Sequence, residues 1–383
     1  MRRSPSRPTR ARCGWSPNRA RRSRSELGIV TPRLPPLDPA VAEIRLALRR
    51  ALGSGDSAVA RRSDAPLVLV ALSGGADSLA LAAAAAHEAR AGGHRFGAVV
   101  VDHGLQEGSA DVAERAAEQA RTLGLDPVLV RPVAVDAADL DGPEAAARRA
   151  RYAALEAAAD ETGAAAILTA HTRDDQAEQV LLGLSRGSGT RSIAGIPPRR
   201  GRILRPLLGV PRSSTEAACA AQGLDPWSDP QNADPVFARV RARTSVLPVL
   251  ERELGPGVTA ALARSAEQAR EDADALDEMV DECIEELVEF AEAGIAVLIP
   301  ALAANPAAIR HRVIRRVARD EFGALLSRTH TIEIDRLITE WRGQGPLTVP
   351  GATVVRAGER LVFTAATPFE REQESHGRVP PRR

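Results

Sequence analysis

The sequence contains no lysine. All 51 basic residues are therefore arginines, and with 50 acidic residues they leave the 383-residue chain with a formal net charge of only +1. A Walker A loop needs a lysine that reaches the β- and γ-phosphates of a bound nucleotide. That class of nucleotide-binding protein is therefore excluded.

Cysteine is scarce as well. The three cysteines, Cys13, Cys219 and Cys283, lie far apart and form no C-x-x-C motif. Zinc sites, iron–sulfur clusters and disulfide frameworks all need closer or evenly paired cysteines, so the sequence supports none of them. Such cysteine usage is typical of the reducing cytoplasm, which we predict as the location of the protein.

Long apolar runs are also missing. No segment is long enough to cross a bilayer, and no seven-residue apolar core follows the N-terminal arginines as in a secretory signal. The first 33 residues contain ten arginines and one acidic residue, Glu26, with few large apolar side chains. Because such a segment cannot bury enough surface to fold alone, residues 1–34 are predicted to be a disordered tail, which either contacts RNA phosphates or has no specific role.

Apolar strand patterns alternate with helical patterns between residues 39 and 184. Strands are predicted at 67–72, 95–102, 126–133 and 165–169, and helices at 39–52, 79–91, 111–123, 143–161 and 175–184. Continuous apolar strands that alternate with helices indicate an α/β fold with a doubly wound, mostly parallel sheet covered on both faces. Ligands bind to such sheets beyond the carboxyl ends of the strands.

Further elements follow this α/β region. A short helix is predicted at 211–222, opened by a capping box of Ser213 and Glu216. A long helix is predicted at 258–292, with one apolar stripe and a solvated acidic face. The predicted domains are the tail at 1–34, an α/β domain at 35–250, a linker helix at 251–293, a small α+β domain at 294–368 and a loose tail at 369–383.

The segment from Ser73 to Ser78, with the sequence SGGADS, joins the first predicted strand to the next helix. Gly74 and Gly75 place no Cβ near a ligand, and a helix N-terminus favours an anion, so this is a candidate pyrophosphate-binding loop. Adjacent glycines fit the spaced G-x-G-x-x-G dinucleotide fingerprint poorly. Asp77 would repel a polyphosphate unless a divalent cation lay between them, which predicts magnesium. The simpler interpretation is an ordinary turn with Asp77 and Ser78 as helix caps.

Polar side chains also follow two other predicted strands. Asp102 and His103 end the second strand, although a lone histidine there is more often a local hydrogen-bonding residue. The segment 169–179, TAHTRDDQAEQ, follows the fourth strand and contains His171, Asp174, Asp175 and Glu178. Acidic residues can cap a helix, but this group exceeds what capping needs and could hold magnesium and orient a cationic amine.

Arginines mark further segments. Glu144 and Arg148 have the i, i+4 spacing of a helical ion pair, which can be a routine surface feature. The glycine-rich segment 185–190, SRGSGT, is typical of a flexible loop. Arg239 and Arg243 can meet phosphates or pair with nearby aspartates.

Together these motifs resemble those of the PP-loop ATP pyrophosphatases, and the later ones narrow the likeness to tRNA(Ile)-lysidine synthetases. The resemblance covers residues 66–250 and is weaker in the C-terminal part. Besides SGGADS, the matching segments are an E-x-x-x-R-x-x-R-Y pattern from Glu144, an R-G-S-G loop from Arg186 and an R-P-L-L strand from Arg205.

Three residues depart from the family pattern. Thr172, Gln179 and Val240 stand where the family has histidine, threonine and asparagine, respectively. What these three positions contribute is left open by the sequence.

The resemblance implies a role for each candidate residue. The residues implied to bind ATP are Ser73, Gly74, Gly75, Ala76, Asp77, Ser78, Asp102, His103 and His171. The residues implied to hold magnesium are Asp77, Asp174 and Asp175. The implied catalytic residues are Asp77, Asp175, Arg148 at the α-phosphate and Glu178 at the lysine ammonium group. The residues implied to meet the tRNA are Arg186, Gly187, Ser188, Gly189, Arg205, Arg239 and Arg243.

The implied reaction uses ATP as co-substrate together with Mg²⁺. ATP adenylates the wobble cytidine of tRNA(Ile) with a CAU anticodon through O2 and releases pyrophosphate. Free L-lysine then displaces AMP at C2 to form lysidine, so that the tRNA decodes AUA. The cytosine must be unstacked to reach such a site. The small C-terminal domain is expected to recognise the tRNA, and the chain could form a homodimer.

Two other functions stay open. Another PP-loop enzyme, such as a tRNA thiolase, would use cysteines or a cluster, and only Cys219 lies near the candidate segments. A non-catalytic protein that senses nucleotide or binds RNA could keep the loop as a scaffold, and it would bind ATP without releasing pyrophosphate.

Overall fold

A computed structural model describes residues 37–53, 65–90, 92–104, 108–134, 142–187, 189–291 and 294–366. The predicted tails at 1–34 and 369–383 lie outside these residues. Within the described parts of the chain, no helix combines the length and apolar character needed to span a membrane.

The first sheet has six strands and is mostly parallel. Its strands are β1 (Leu67–Ala71), β2 (Arg95–Asp102), β3 (Val128–Pro132), β4 (Ala166–Leu168), β5 (Arg199–Arg200) and β6 (Ile203–Leu204). Their order across the sheet is β3-β2-β1-β4-β6-β5, and all neighbours run parallel except β5 and β6. In the register, Val68 of β1 lies between Phe96 of β2 and Ala166 of β4. The predicted doubly wound, mostly parallel α/β sheet is confirmed.

Helices connect and cover these strands. They are α1 (Pro39–Leu52), α2 (Ala76–Ala89), α3 (Ser109–Leu123), α4 (Pro143–Thr162), α5 (Arg173–Arg186), α6 (Thr190–Ile193), α7 (Arg212–Ala221), α8 (Ala238–Arg241) and α9 (Leu247–Glu253). A 3₁₀ turn at Pro230–Ala233 and a π-helix at Ala242–Val246 lie in the same part of the chain.

Hydrophobic cores lie on both faces of this sheet, because successive side chains of a strand point in opposite directions. Val68 and Val70 of β1 belong to the core shared with α1, α2, α3 and α7. Leu67 and Leu69 belong to the core shared with α4. The carboxyl ends of β1, β2 and β4 therefore meet at one edge of a sheet that is covered on both faces.

Several boundaries differ from the predictions. α2 begins at Ala76 instead of residue 79, because Gly75 is its N-cap and the end of SGGADS already forms the first helical turn. α5 begins at Arg173 instead of residue 175, with Thr172 as its N-cap. The first turns of both helices therefore begin closer in sequence to the strands β1 and β4 than predicted.

Two local predictions were wrong. The strand expected from Arg205 ends at Leu204, and the R-P-L-L residues follow it in a turn. The capping box of Ser213 is not formed, because α7 begins at Arg212 with Pro211 as its N-cap and no side-chain hydrogen bond there.

The second sheet lies near the end of the chain and is antiparallel. Its strands are β7 (Val288–Ala291), β8 (Gly294–Leu298), β9 (Leu347–Val349), β10 (Ala352–Ala357) and β11 (Arg360–Ala365), in the order β7-β8-β11-β10-β9. The helices of this part are α10 (Val258–Leu287), α11 (Ile299–Ala303), α12 (Ala307–Phe322) and α13 (Arg328–Thr339). The expected linker helix followed by a small α+β module is present.

The long helix α10 ends earlier than predicted. The expected helix reached residue 292, but residues Val288–Ala291 form β7, which pairs with β8. Val and Phe alternate with Glu and Ala in this segment, and such a pattern suits a strand that can pair with a neighbour. The apolar stripe of α10 contributes Val280 and Leu287 to the core of the second sheet.

The acidic face of α10 is largely exposed to solvent, as predicted, but two of its aspartates also pair with α12. Asp277 pairs with Arg312 of α12 at 2.8 Å. Asp281 pairs with Arg316 of the same helix, also at 2.8 Å. These aspartates therefore join α10 to the C-terminal module.

Candidate active site

A cavity of about 560 Å³ lies at the carboxyl ends of β1, β2 and β4. Seven of the predicted site residues line it: Ser73, Asp77, Ser78, Asp102, His103, His171 and Asp175. Arg151, Tyr152 and Trp227 line it as well and were not assigned to the site from the sequence. The parallel sheet thus brings together polar segments that are far apart in the chain.

The SGGADS turn forms one end of this cavity. Gly74 has φ = +82°, a conformation that favours glycine, and a Cβ at this position would lie 3.4 Å from the Cβ of Ala116. Ser78 Oγ donates to the carbonyl of Gly75 at 3.0 Å and accepts from the amide of Ser73 at 3.2 Å. Trp227 holds the turn from outside, since its amide donates to the carbonyl of Gly74 at 2.9 Å.

The first amides of α2 are available to an anion. Its N-cap, Gly75, offers no side chain, and the carboxylate of Asp77 turns away to Thr215 and Arg212. N–H groups in the first turn of a helix have no intrahelical acceptor. The simpler interpretation of Asp77 as a helix cap therefore does not describe this turn, and its geometry suits a phosphate.

Asp77 is held by two partners from α7. Its Oδ2 accepts from Arg212 Nε at 3.2 Å, and its Oδ1 accepts from the hydroxyl of Thr215. Burial raises the pKa of Asp77 more than Arg212 and Thr215 lower it. The ionised carboxylate is therefore costly to bury here, and a bound cation would relieve that cost.

Asp175 sits in the first turn of α5. Its Oδ2 accepts from the backbone N–H and the hydroxyl of Thr172, at 2.7 and 3.0 Å. Its Oδ1 accepts from Arg212 at 3.1 Å and from Arg243 at 3.5 Å. Burial alone would raise the pKa of Asp175, but Arg212, His171 and the Thr172 amide outweigh it and hold the pKa below its usual range. Asp175 is therefore ionised at neutral pH.

Glu178 lies one turn further along α5 and is fully buried. Arg243 donates to both of its oxygens, from Nε at 2.6 Å and from Nη2 at 3.0 Å, and Arg239 Nε lies 3.8 Å away. Burial raises the pKa of Glu178 despite the hydrogen bond from Arg243. Glu178 is not among the described residues that line the cavity, and neither are its arginine partners.

Arg212 is the central residue that the sequence did not reveal. Its guanidinium lies 3.2 Å from Asp77, 3.1 Å from Asp175 and 3.7 Å from Glu178. Its backbone N–H also donates to Asp174 Oδ2 at 2.8 Å. Burial alone would lower the pKa of Arg212, but the three carboxylates outweigh it and raise the pKa.

A sequence signal for Arg212 did exist. It is the first residue of α7, where the helix dipole disfavours a cation. An arginine at such a helix start therefore gains from anionic partners, although its position in the chain does not indicate which ones.

A second arginine cluster surrounds Tyr152 on α4. The guanidinium of Arg148 lies 5.1 Å from the ring centroid and that of Arg151 lies 5.6 Å away. Arg205 Nη2 donates to the Tyr152 hydroxyl at 3.3 Å. Of these three arginines, Arg151 lines the cavity, whereas Arg148 and Arg205 do not. The side chain of Glu144, the expected partner of Arg148, lies outside the described residues.

Two histidines, His103 and His171, line the cavity. Burial lowers the pKa of His103, with a further contribution from Arg151, so the ring is neutral at pH 7. Its Nδ1 is buried and has no hydrogen-bond partner among the described residues. Burial also lowers the pKa of His171, whose Nδ1 lies 3.1 Å from the hydroxyl of Thr169. Asp102 accepts from the amide of Gly104 at 3.0 Å.

The expected tRNA-binding residues have different surroundings. Arg239 and Arg243 belong to the acidic cluster around Glu178, and Arg205 is buried beside Tyr152. Arg186 is exposed in the last turn of α5. Gly187 and Gly189 have φ values of +60° and +83°, and Ser188 lies outside the described residues.

Comparisons with known proteins agree with this geometry. Residues 53–250 match the family model of the PP-loop domain, and residues 298–362 match that of the TilS substrate binding domain. A tRNA(Ile)-lysidine synthase of Leifsonia xyli subsp. xyli is 60% identical over 78% of this chain and 89% of its own length. Another tRNA(Ile)-lysidine synthase, from Thermobifida fusca, is 51% identical over 86% of this chain and 98% of its own length.

This chain belongs to the tRNA(Ile)-lysidine synthase family.

The family resemblance inferred from the sequence is thereby confirmed. Among solved structures, the U34-tRNA thiolase NcsA from Methanococcus maripaludis with its [4Fe-4S] cluster aligns over 60% of this chain and 79% of its own length. Its sequence identity is 19% and its TM-score 0.47, which is too low to support an argument.

The three departures from the lysidine synthase pattern now have structural descriptions. Thr172 caps α5 and donates to Asp175, a contribution that needs only a hydroxyl and a backbone amide. Gln179 Oε1 accepts from Arg239 at 3.2 Å. Val240 is buried in α8, where it packs instead of hydrogen bonding.

The acidic residues fit a magnesium ion only in part. Among the described residues, no group of three or more acidic, histidine or cysteine side chains is arranged to hold a metal ion. Asp174 points to the backbone of Arg212, whereas Asp77 and Asp175 both line the cavity. Magnesium that arrives with a triphosphate is usually held by only one or two carboxylates, and these two fit that requirement.

Proposed function

We propose that this chain ligates free L-lysine to C2 of the wobble cytidine of tRNA(Ile) with a CAU anticodon, with ATP cleaved to AMP and pyrophosphate. The observation that carries the proposal is the SGGADS turn at the start of α2, which borders the same cavity as the carboxylates of Asp77 and Asp175. A triphosphate with its metal ion needs both features side by side. The two relatives described above, both tRNA(Ile)-lysidine synthases, agree with it.

ATP is proposed to lie along the sheet edge. Its phosphates would meet the amides of residues 73–78, and its adenine would lie near the end of β2, where the buried Nδ1 of His103 can take part in a hydrogen bond. Arg148 is proposed for the α-phosphate; it shares the Tyr152 ring with Arg151, which lines the cavity. Fixed amides and guanidinium groups would stabilise charge that develops on the α-phosphate and on the departing pyrophosphate.

Magnesium is proposed to bind with the triphosphate at Asp77 and Asp175. When bound, it would neutralise charge on the pyrophosphate leaving group. The guanidinium of Arg212 orients both carboxylates, since it lies 3.2 Å from Asp77 and 3.1 Å from Asp175. Asp174 supports this arrangement through the backbone of Arg212.

Lysine is proposed to approach the acidic cluster on α5. Glu178 and Asp175 supply negative charge that attracts a cationic amine. Because Arg243 occupies both oxygens of Glu178, direct contact between Glu178 and the lysine ammonium requires Arg243 to move. The amine must lose its proton before it can attack C2, and the reaction therefore needs a base.

The predicted domains are proposed to divide catalysis and RNA binding between them. We propose a catalytic domain at 35–250, a linker helix at 251–293 and a tRNA-recognition domain at 294–368. The cytidine would leave its stack in the anticodon loop to reach the cavity. The cytoplasm is the proposed location, and a homodimer is the proposed assembly.

A thiolase reaction is the second candidate, and the geometry of Cys219 argues against it. This thiol is buried against the carbonyl of Ala76 at 3.4 Å. Burial, with the nearby charge of Asp77, raises its pKa to about 11, so it is not a thiolate at neutral pH. A nucleophilic cysteine needs the opposite shift.

The test is a product analysis with the full chain. Purified protein is incubated with Mg²⁺, ATP, radiolabelled lysine and an unmodified transcript of tRNA(Ile) with a CAU anticodon. We expect lysine in the tRNA together with equal amounts of AMP and pyrophosphate. The methionine tRNA with the same anticodon serves as control and should stay unlabelled. Release of ADP and orthophosphate, ATP binding without any turnover, or sulfur transfer without lysine uptake would each rule the proposal out.

A further inference from the structure

Arg312 of the C-terminal module is linked to α6 of the catalytic half of the chain directly and through the carboxylate of Asp277. Asp277 on α10 accepts from Arg312 of α12 at 2.8 Å and pairs with Arg191 of α6 at 3.3 Å. Arg312 Nη2 also donates to the hydroxyl of Thr190, the first residue of α6, at 3.3 Å. We call the set formed by Asp277, Arg191 and Arg312 the Asp277 joint.

The joint is built more firmly on one side than on the other. The side chain of Arg312 is 12% exposed and that of Asp277 is 26% exposed, whereas Arg191 is 56% exposed. A partly buried ion pair is less screened by salt than an exposed one. Arg312 and Asp277 therefore form a fixed base, and Arg191 connects the short helix α6 to it and also pairs with Asp274 of α10.

The segment held by the joint continues directly to the acidic site. Ile196, three residues after α6, exchanges two hydrogen bonds with the side chain of Gln176, at 2.6 and 2.9 Å. Gln176 adjoins Asp175 on α5. Arg270 of α10 donates to the carbonyls of Ala194 and Ile196, at 2.5 and 2.9 Å.

Close packing makes this connection stiff. Gly183 of α5 lies against α6, since a Cβ there would be 2.5 Å from the carbonyl oxygen of Ser192. Gly195 has φ = +66°, and a Cβ there would be 2.2 Å from Gln176 Oε1. Neither place has room to absorb a displacement of α6, so a shift of α6 is passed to α5.

From this connection we infer that Asp277 and Arg312 are positioning residues that fix α6, and through it the first turn of α5, when RNA occupies the C-terminal module. The inference rests on the proposed function and adds a route by which tRNA binding prepares the site that carries Asp175. Neither residue touches the cavity, so their effect is on the rate at saturating substrate and not on ATP affinity.

The same two helices provide a matched control. Asp281 and Arg316 join α10 to α12 at 2.8 Å, one turn further along, without a contact to α6. Asp277→Asn and Arg312→Gln break the link from α12 to α6 through the joint and leave the separate pair of Arg191 with Asp274 on α10 in place. Asp281→Asn and Arg316→Gln remove an ordinary pair between α10 and α12.

The experiment measures lysine incorporation at saturating ATP and lysine over a range of tRNA concentrations. We expect Asp277→Asn and Arg312→Gln to lower kcat by about 2- to 30-fold, with KM for tRNA and the Kd of ATP changed less than about twofold. The kcat of the double variant should be no lower than that of the less active single variant, because both substitutions break one joint. The control variants should keep the kcat of the wild type.

Two results would overturn the inference. Equal losses of kcat in Asp277→Asn and Asp281→Asn would show that only helix packing matters. A loss confined to KM for tRNA would show that Arg312 contacts RNA itself.

A second measurement separates this inference from the proposed function. Hydrogen exchange of residues 190–196 is followed with and without tRNA. Added tRNA should slow exchange there in the wild type and in Asp281→Asn but not in Asp277→Asn. Unchanged exchange in the wild type contradicts the joint, whereas a wild type that makes no lysidine contradicts the proposed function and leaves the exchange result meaningful.

Discussion

Two regions of the molecule pair aspartate and glutamate with arginine, and they differ in burial. In the catalytic cluster, Glu178 is fully buried and the side chain of Asp175 is 11% exposed. On α10, the side chain of Asp281 is 58% exposed. Removal of one partner from a buried pair leaves an uncompensated charge and costs about 3–5 kcal/mol, whereas an exposed pair contributes about 0–1 kcal/mol.

The difference teaches that the same residue types serve two ends. The buried cluster holds several interacting charges next to the cavity, where a bound ligand can change the interactions between them. The pairs between α10 and α12 add little to stability. Their effect is on the alignment of the two helices, because they fix which turn of α10 faces which turn of α12. Four substitutions can break or sharpen this contrast.

Asp77→Asn should have the largest effect. Asparagine keeps the shape and can still meet Thr215, but it lacks the charge that a metal-bound triphosphate needs beside the turn. We expect pyrophosphate release to fall by about 10²- to 10³-fold. Release is measured with a coupled phosphate assay, and circular dichroism should show an unchanged fold. Activity within a few-fold of the wild type would contradict the role of Asp77.

Arg212→Gln should come next and act on stability. The change leaves Asp77, Asp175 and Glu178 without their shared cation. The free energy of unfolding should fall by about 3 kcal/mol, as measured by urea denaturation at pH 7. Arg212→Lys is the matched variant and should lose less, since it keeps a charge. If the two variants were equally stable, the bridging geometry of the guanidinium would have no importance.

Glu251→Gln should show a smaller effect that depends on pH. Glu251 accepts from the amides of Gly257 and Thr259 at 2.6 and 2.7 Å and so caps α10 from α9. The Thr259 hydroxyl and these amides lower its pKa from 4.5 to about 2. The ionised form therefore stabilises the fold above pH 4.5, and this stabilisation is lost as the pH falls toward 2.

Melting temperatures across this range measure the effect of Glu251→Gln. The wild type should melt higher than the variant at pH 7, and the two curves should converge near pH 2. A constant difference between the two proteins down to pH 2 would mean that the carboxylate charge is not the cause.

Asp281→Asn should have the smallest effect. Its pair with Arg316 is exposed, so the free energy of unfolding should change by less than about 1 kcal/mol. The change should vanish in 1 M salt, where the screening length is about 3 Å. Urea denaturation at low and high salt measures it. A loss as large as that of Arg212→Gln would remove the contrast between the two regions.

Much of the fold could be predicted because its signals are local. The alternation of apolar strands and helices is visible within short windows, and it located β1 to β4 to within a few residues. SGGADS was recognisable for the same reason, since a strand, a glycine turn and a helix start are consecutive in the chain. The site residues Asp77, Asp102 and Asp175 followed from the rule that ligands bind at strand ends.

What could not be predicted depends on contacts between distant residues. Arg212 meets Asp77 from 135 positions away, and no spacing rule relates them. The strand β7 was taken for helix because its partner β8, and not its own sequence alone, decides its conformation. The two pairs between the acidic face of α10 and α12 could not be predicted either, since only the packed structure shows that α12 presents arginines to Asp277 and Asp281.

The side chains that surround the cavity have one further consequence for selectivity. Every cationic side chain there is a guanidinium, because the chain contains no lysine. Guanidinium groups stay protonated at all physiological pH values and do not act as nucleophiles. An activated cytidine in this cavity would therefore find no primary amine among the side chains, and the enzyme is protected from cross-linking itself to its own RNA.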